Sequence, residues 1–214
     1  EERFRELVGM LPEAVFETDQ NFILTYVNQR ALEITGYTQE DIENGMSGID
    51  ILVPEHRERA KENIALRIRG INPGTVEYLA LKKDGSPFPI LFHANTIFDN
   101  GKLKGIRGII VDITERVEAE EKIAKLSRAV EQSPSVIAIT DLDGIFEYIN
   151  PKFTKLTGYT SEEIIGKSTR ILNSGKQGNE FYSSFWETIS SGKDWHGEFN
   201  NMKKNGELFW EKAT

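Results

Sequence analysis

The chain has 214 residues, of which 38% are hydrophobic and 28% charged, with a formal net charge of −8 and no cysteine. That charge gives no electrostatic footprint for nucleic acid or an anionic membrane surface. Without cysteine, a disulfide, a thiolate metal site, an iron–sulfur cluster and a thiol-linked chromophore are all excluded from this segment. No stretch approaches the roughly 18 apolar residues of a membrane span and the charged opening Glu1-Glu2-Arg3 is no signal peptide, so a cytoplasmic segment without membrane insertion is expected.

In chain order, Phe4, Leu7, Val8 and Leu11 predict a short amphipathic helix that Pro12 ends. Strands are expected over 14–18 and 23–28, around the turn Asp19-Gln20-Asn21. Asn28 ends the second strand just before helical residues, so it reads first as a cap or turn former and second as a ligand contact. Helices follow over 29–34 and 39–43, separated by Thr35-Gly36-Tyr37-Thr38, in which the glycine permits positive φ and Thr38 can cap. Residues 54–68 predict a longer helix, with Pro54 in its first turn and Ile64, Leu66 and Ile68 as its apolar positions. Strands over 75–81, 86–98 and 102–114 are joined by Lys83-Asp84-Gly85 and Asp99-Asn100-Gly101. Five strands with helices inserted between the second and third make an α+β architecture whose helices cover one sheet face, with room for a small ligand beneath them.

About sixteen residues without Gly or Pro begin at Thr114, rich in Glu, Ala, Lys and Arg. Thr114 is the expected N-cap. Ala119, Ile123, Leu126 and Val130 alternate four and three apart, a heptad seam through which the helix can pair with its own copy in a homodimer. The alternative is a solvated helix that spaces two domains.

The two flanks of that helix are one sequence written twice. A shift of 122 positions carries residues 12–42 onto 134–164 without a gap. Thr18-Asp19 falls on Thr140-Asp141, Tyr26 on Tyr148, Asn28 on Asn150, and Thr35-Gly36-Tyr37-Thr38 on Thr157-Gly158-Tyr159-Thr160. Lys82-Lys83-Asp84-Gly85 answers to Lys203-Lys204-Asn205-Gly206. A period this long is a domain duplication rather than a solenoid repeat. The expected domains are 1–114 and 132–214, with 115–131 as helical linker. Residues 207–214 bring no counterpart of 102–114, so the second copy lacks a central strand and the natural protein is expected to continue.

The order hairpin, Asn, Gly-Tyr, long helix, Lys-Lys-Asp-Gly turn, strand and closing Asp112-Ile113-Thr114 resembles the PAS domain, and the likeness covers nearly the whole chain twice. It implies in each copy a curved five-stranded antiparallel sheet of order 2-1-5-4-3 with helices on one face, the second copy lacking its last strand. It also implies sensing or dimerisation rather than catalysis, as in the input regions of sensor histidine kinases. In that family the Asp and Thr of the closing motif tie the last strand to the output helix, which here makes Asp112 and Thr114 the signal relay.

Several ligand readings follow from the resemblance. Haem needs an axial ligand; His56 lies on the long helix, but the family's ligand position falls nearer Ala60, and a capping or surface role for His56 is the plainer reading. In the second copy the stretch from Arg170 through Trp210 is similar to flavin-binding PAS domains of energy-taxis receptors and nitrogen-fixation regulators. It implies FAD held by Asn173, Trp186, Trp195 and Asn201, though the two indoles are equally readable as core aromatics. The first copy lacks that signature, and Tyr78, His93 and Asn95 are its candidate contacts to a different small molecule. No Walker loop, zinc-protease helix, Gly-x-Ser-x-Gly elbow or dinucleotide fingerprint is present; Gly101, Gly105 and Gly108 have the wrong spacing, and no catalytic residue or metal site is expected. A ligand-free interaction scaffold is the rival to a sensor.

Overall fold

The structure is a computed structural model that describes residues 8, 9 and 11–214. Most of the helix expected at the N-terminus lies outside the described residues. The chain divides into two compact units with the boundary after Glu121, inside the long helix.

The first unit opens with the hairpin β1 (Ala14–Thr18) and β2 (Leu24–Val27). Asp19 shapes the turn by accepting the backbone N–H groups of Asn21 and Ile23 on one carboxylate oxygen. Helices α1 (Gln29–Thr35), α2 (Gln39–Glu43) and α3 (Pro54–Ile68) follow, then β3 (Val76–Leu81), β4 (Pro87–Asp99) and β5 (Lys102–Asp112). The strands form one five-stranded sheet of order β2-β1-β5-β4-β3 with antiparallel pairs throughout. β5 is central, paired with β1 on one side and β4 on the other. Its glycines are placed for contact: a Cβ on Gly105 would stand 1.8 Å from the Thr18 carbonyl oxygen, and one on Gly108 2.4 Å from that of His93. The spacing that fails as a dinucleotide fingerprint is thus a record of close backbone approach.

Strand alternation sends Phe16, Tyr78, Ala80, Phe88, Ile90 and Ala94 to the concave side, where Ala31, Ile34, Ile42 and Ala60 of the helices complete a core of buried residues. Burying each large side chain contributes about 1.5–3 kcal/mol. The apolar positions of α3 do not mark the face that it turns inward. Ala60 and Arg67 are its buried residues and Ile68 is exposed, so Ile64, Leu66 and Ile68 do not form the inner stripe. A spacing of two cannot stay on one helix face, whereas Ala60, Asn63, Ile64 and Arg67 follow the helical period.

Asn28 caps α1 and does more. Its Oδ1 accepts from the Val15 and Ala31 backbone N–H groups, and its Nδ2 donates to the Val8 and Glu13 carbonyls, so all the bonding of this 2% exposed amide is internal. A ligand contact is thereby excluded in favour of the cap. Gly36 ends α1 in the left-handed region at φ 72°, and Thr38 and Asp41 form a capping box on α2. Lys83, in the β3–β4 turn, reaches Asp41 at 2.6 Å. With Lys83 and the Thr38 groups bonded to it, the Asp41 carboxyl is held down at about 2.

The long helix α4 (Thr114–Glu131) buries no residue along its length. In the second unit, β6 (Ala138–Thr140) and β7 (Phe146–Ile149) repeat the hairpin, α5 (Pro151–Thr157) and α6 (Ser161–Ile164) repeat α1 and α2, and a 3-10 turn spans Thr169–Leu172. Helix α7 (Asn179–Ser190) precedes β8 (Gly197–Met202) and β9 (Leu208–Ala213). The duplication holds atom by atom: Asn150 accepts from Ile137 and Phe153 and donates to Val130 and Ser135, and Lys204 pairs with Glu163 as Lys83 pairs with Asp41.

The second unit corrects one expectation. It holds two separate two-stranded sheets, β6-β7 and β8-β9, instead of a single sheet short of one strand. In the first unit β5 alone joins β1 to β4, so without a counterpart of β5 the two hairpins have no common neighbour.

Candidate functional site

Between α3 and the concave sheet face of the first unit lies a cavity of about 80 Å³. Phe16, Leu24, Ile64, Ile90, Phe92 and Ile110 give it an apolar wall, and Thr18, Thr35, Asn63, Arg67 and Tyr78 place polar atoms along it. At roughly 10–15 Å³ per water on this measure, the space admits a molecule of a few to about ten non-hydrogen atoms and excludes a haem or a flavin. The wall is built by register: Tyr78 stands opposite Ile90, and Phe92 opposite Ile110. Tyr78 packs edge-on to Phe92 at 5.8 Å, and Asn63 Nδ2 donates to its hydroxyl at 2.7 Å.

Of the three residues proposed as first-copy contacts, Tyr78 lines this cavity. His93 and Asn95 do not; they alternate with Phe92 and Ala94 on β4 and so belong to the opposite sheet face, where Asn95 is exposed and His93 approaches Thr75. His56 is occupied by structure, its Nδ1 accepting the Leu79 backbone N–H at 2.8 Å. Sequence reading missed Asn63 and Arg67. Their spacing from Ala60 on α3 was the available signal.

The closing motif of the first unit is a compact junction. One carboxylate oxygen of Asp112 accepts the Thr114 backbone N–H at 2.9 Å and the Thr114 hydroxyl at 2.6 Å. The capping acceptor is therefore Asp112, and Thr114 is the donor rather than the expected N-cap. Between them the buried Ile113 donates to the Pro89 carbonyl. Arg116, in the first turn of α4, pairs with Glu77 of β3, which holds its guanidinium more firmly protonated. The far end of α4 is bound into the second unit, where the Val130 carbonyl accepts from Asn150 and the Glu131 carboxylate from the Tyr148 hydroxyl.

In the second unit the register sets Asn201, Glu211, Phe199 and Phe209 on the face that Ala80, Ile90, Tyr78 and Phe88 occupy in the first. An apolar pair has become polar: Asn201 Nδ2 donates to Glu211 Oε1 at 2.7 Å, and burial pushes the Glu211 carboxyl up. The neighbouring Asn200 Oδ1 is buried without a partner. Asn173 meets Asn201 through a backbone bridge, but its side chain is taken by Gly175 N–H and the Tyr182 hydroxyl. Trp195 packs on Phe199 at 4.9 Å and against Phe181 and Phe185, while the ring of Trp186 lies over Gly144. The Asn201–Glu211 pair offers the donors and acceptors an isoalloxazine needs, but rings this close to one another leave no slot between them. As arranged, these residues do not fit a flavin.

The description "PAS domain" matches residues 12–115 and again 134–214. The chain belongs to the PAS-domain family. Among curated relatives, the PAS pair is 31% identical over 80 residues to a nitrogen fixation regulatory protein of Klebsiella oxytoca and 27% identical over 80 residues to the aerotaxis receptor of Escherichia coli, in each case over 37% of this chain and 16% of the relative. It is 31% identical over 107 residues to the bacterioopsin transcriptional activator of Halobacterium salinarum, 49% of this chain and 15% of that one. The PAS pair thus spans less than a fifth of these relatives. A solved PAS domain from Colwellia psychrerythraea superposes with a TM-score of 0.48 at 24% identity, over 54% of this chain and 98% of that one. PAS domains of this kind recur in kinases, regulators and receptors, as sensory and signalling parts. Among the described residues no helix is long and apolar enough to cross a membrane and no cluster of potential metal ligands occurs.

Proposed function

We propose that the chain is a cytoplasmic sensory input module in which the first PAS unit binds a small molecule and α4 carries the change toward an output domain of the sensor histidine kinase type. The observation that carries this reading is the apolar cavity under α3, with a polar group at hand on Asn63, Arg67 and Tyr78. A scaffold has no use for such a void, which costs dispersion contacts along its lining. A ligand that fills it favours one arrangement of the sheet by its differential affinity and no more. β4 reaches the cavity through Ile90 and Phe92, and Ile90 stands opposite Asp112, so one strand pair links ligand and junction. Downstream, the exposed Ile123 and Leu126 support pairing of α4 with a second copy.

The test is to denature the purified chain and identify what is released by mass spectrometry, then to titrate the emptied protein with it. A stoichiometric small molecule supports the sensor; a protein that releases nothing and takes up none of a broad metabolite library is a scaffold.

A second reading places FAD in the second unit. It rests on the inward-facing Asn201 and Glu211, and it requires Trp195 to leave its aromatic cluster. An absorption spectrum of the purified chain decides it: flavin bands that vanish in Asn201→Ala support it, and a colourless protein rejects it.

A further inference from the structure

Helix α3 turns Ala60, Asn63, Ile64 and Arg67 toward the cavity, and the last of these is out of keeping with an apolar wall. Arg67 is 6% exposed. Its Nη1 donates to the Ala94 carbonyl at 2.6 Å and to Asn72 Oδ1 at 2.8 Å, and its Nη2 donates to the Gly74 carbonyl at 2.6 Å. All three acceptors are neutral. No carboxylate among the described residues forms an ion pair with it. Burial pulls its pKa down, the direction of a cation lacking a counter-charge. A guanidinium nevertheless stays protonated in proteins, so the first unit keeps a positive charge at the edge of an apolar cavity.

Part of this arrangement is a clamp. The three carbonyls tie α3 to the loop before β3 and to β4, and a clamp alone explains Nη1. It does not explain why a permanent charge stands there, since a buried charge is tolerated when an opposite one accompanies it. Nor does it use the whole fork. Its three bonds use both N–H groups of Nη1 and one of Nη2. Nearby, the Tyr78 hydroxyl accepts from Asn63, which leaves its own O–H to donate. Two kinds of donor, one of them charged, therefore stand beside a wall of Ile64, Ile90 and Phe92.

We propose that the first-unit cavity takes a small amphipathic carboxylate, its anionic head on Arg67 with help from the Tyr78 hydroxyl and its apolar body against Ile64, Ile90 and Phe92. This rests on the reading of the cavity as a ligand site. The size of the space holds the whole molecule, head included, to about ten non-hydrogen atoms, the scale of hexanoate or benzoate. The second unit lacks the constellation, since Phe199 stands where Tyr78 does and carries no hydroxyl.

The test compares an acid with its uncharged isostere on the full chain. Benzoate and benzamide, then hexanoate and hexanamide, are titrated while methyl and aromatic resonances of Ile90 and Phe92 are followed. Each acid is expected to bind at least tenfold more tightly than its amide. Arg67→Gln should reduce the acid to the amide's affinity; because that variant also loses clamp bonds, Tyr78→Phe serves beside it, weakening the acid several-fold and the amide less, since the hydroxyl bonds an ionised acceptor more strongly than a neutral one. Equal binding of acid and amide overturns the carboxylate assignment and leaves the ligand site standing. If neither pair moves those resonances the assignment also falls, and if xenon under pressure fails to move them the cavity itself falls with it.

Discussion

Asp112 and Thr114 share a single carboxylate oxygen: it accepts both the backbone N–H and the hydroxyl of Thr114, at 2.9 and 2.6 Å. The bond joins the last residue of the central strand to the first turn of α4, and it places a negative charge where the helix dipole is positive. Asp112→Ala should lower the stability of the first unit by about 1 kcal/mol, the usual worth of an N-terminal cap, and raise amide exchange over the first turn of α4. Ligand affinity in the cavity should stay within about twofold, because Asp112 is exposed and does not line it. A parallel fall of affinity and helix protection would make the junction part of the ligand site's own support.

Asp41 titrates at about 2 because Lys83 and the Thr38 groups hold its carboxylate. A depressed carboxylate contributes stability that is present above its unfolded value, near 3.9, and is lost as pH falls through the folded one. The carboxyl carbon resonance of Asp41 should therefore show a midpoint near 2 that rises toward the ordinary range in Lys83→Met. An unmoved midpoint would mean that the capping box alone holds the proton off.

Glu211 works with the opposite sign. Burial raises its pKa against the hydrogen bond from Asn201, so the folded second unit binds a proton more readily than the unfolded chain. Stability from this group is full below the unfolded value and is lost as pH rises through the raised folded one. Glu211→Gln should make the second unit more stable than wild type at neutral pH, with the gain shrinking toward pH 4. Chemical denaturation at several pH values checks this, and a pH-independent difference would refute it.

At Gly105 any side chain meets the Thr18 carbonyl, and the clash is with backbone. Gly105→Ala should cost about 3 kcal/mol or more and open the β1–β5 pairing, whereas Lys104→Ala, at an exposed position of the same strand, should change stability by less than about 0.5 kcal/mol. Denaturant midpoints of the two variants give the comparison.

Much of the first unit was legible because its signals are local. Pro54 in a first turn, the Thr38 cap, the turn Asp84-Gly85 and the β-branched strands each act within a few residues, and α2 and α3 fall where they were expected. Duplication helped, since Asn28 and Asn150 had to do one job twice. What escaped was parity and tertiary partnership. His93 and Asn95 look like pocket residues until Phe92 and Ala94 are seen to own the inner face, and the alternation was readable along β4 itself. Arg67 was overlooked because charge on a helix reads as solvent-facing, and only the sheet beneath α3 shows that it is buried. The second unit was harder still: the strand that would join its hairpins is not in the sequence, so long-range pairing had no partner to be read from.

The most direct test of the account is whether cavity and helix respond together. With the full chain isotopically labelled, a library of carboxylates, amides and hydrocarbons of up to about ten non-hydrogen atoms is titrated while Ile90 and Phe92 report the cavity, and the amides of Thr114 and Val117 report α4. Every compound that shifts the cavity resonances is expected also to shift the two helix amides, with the same midpoint, and Asp112→Ala is expected to abolish only the helix response. Cavity resonances that saturate while Thr114 and Val117 stay still would contradict it.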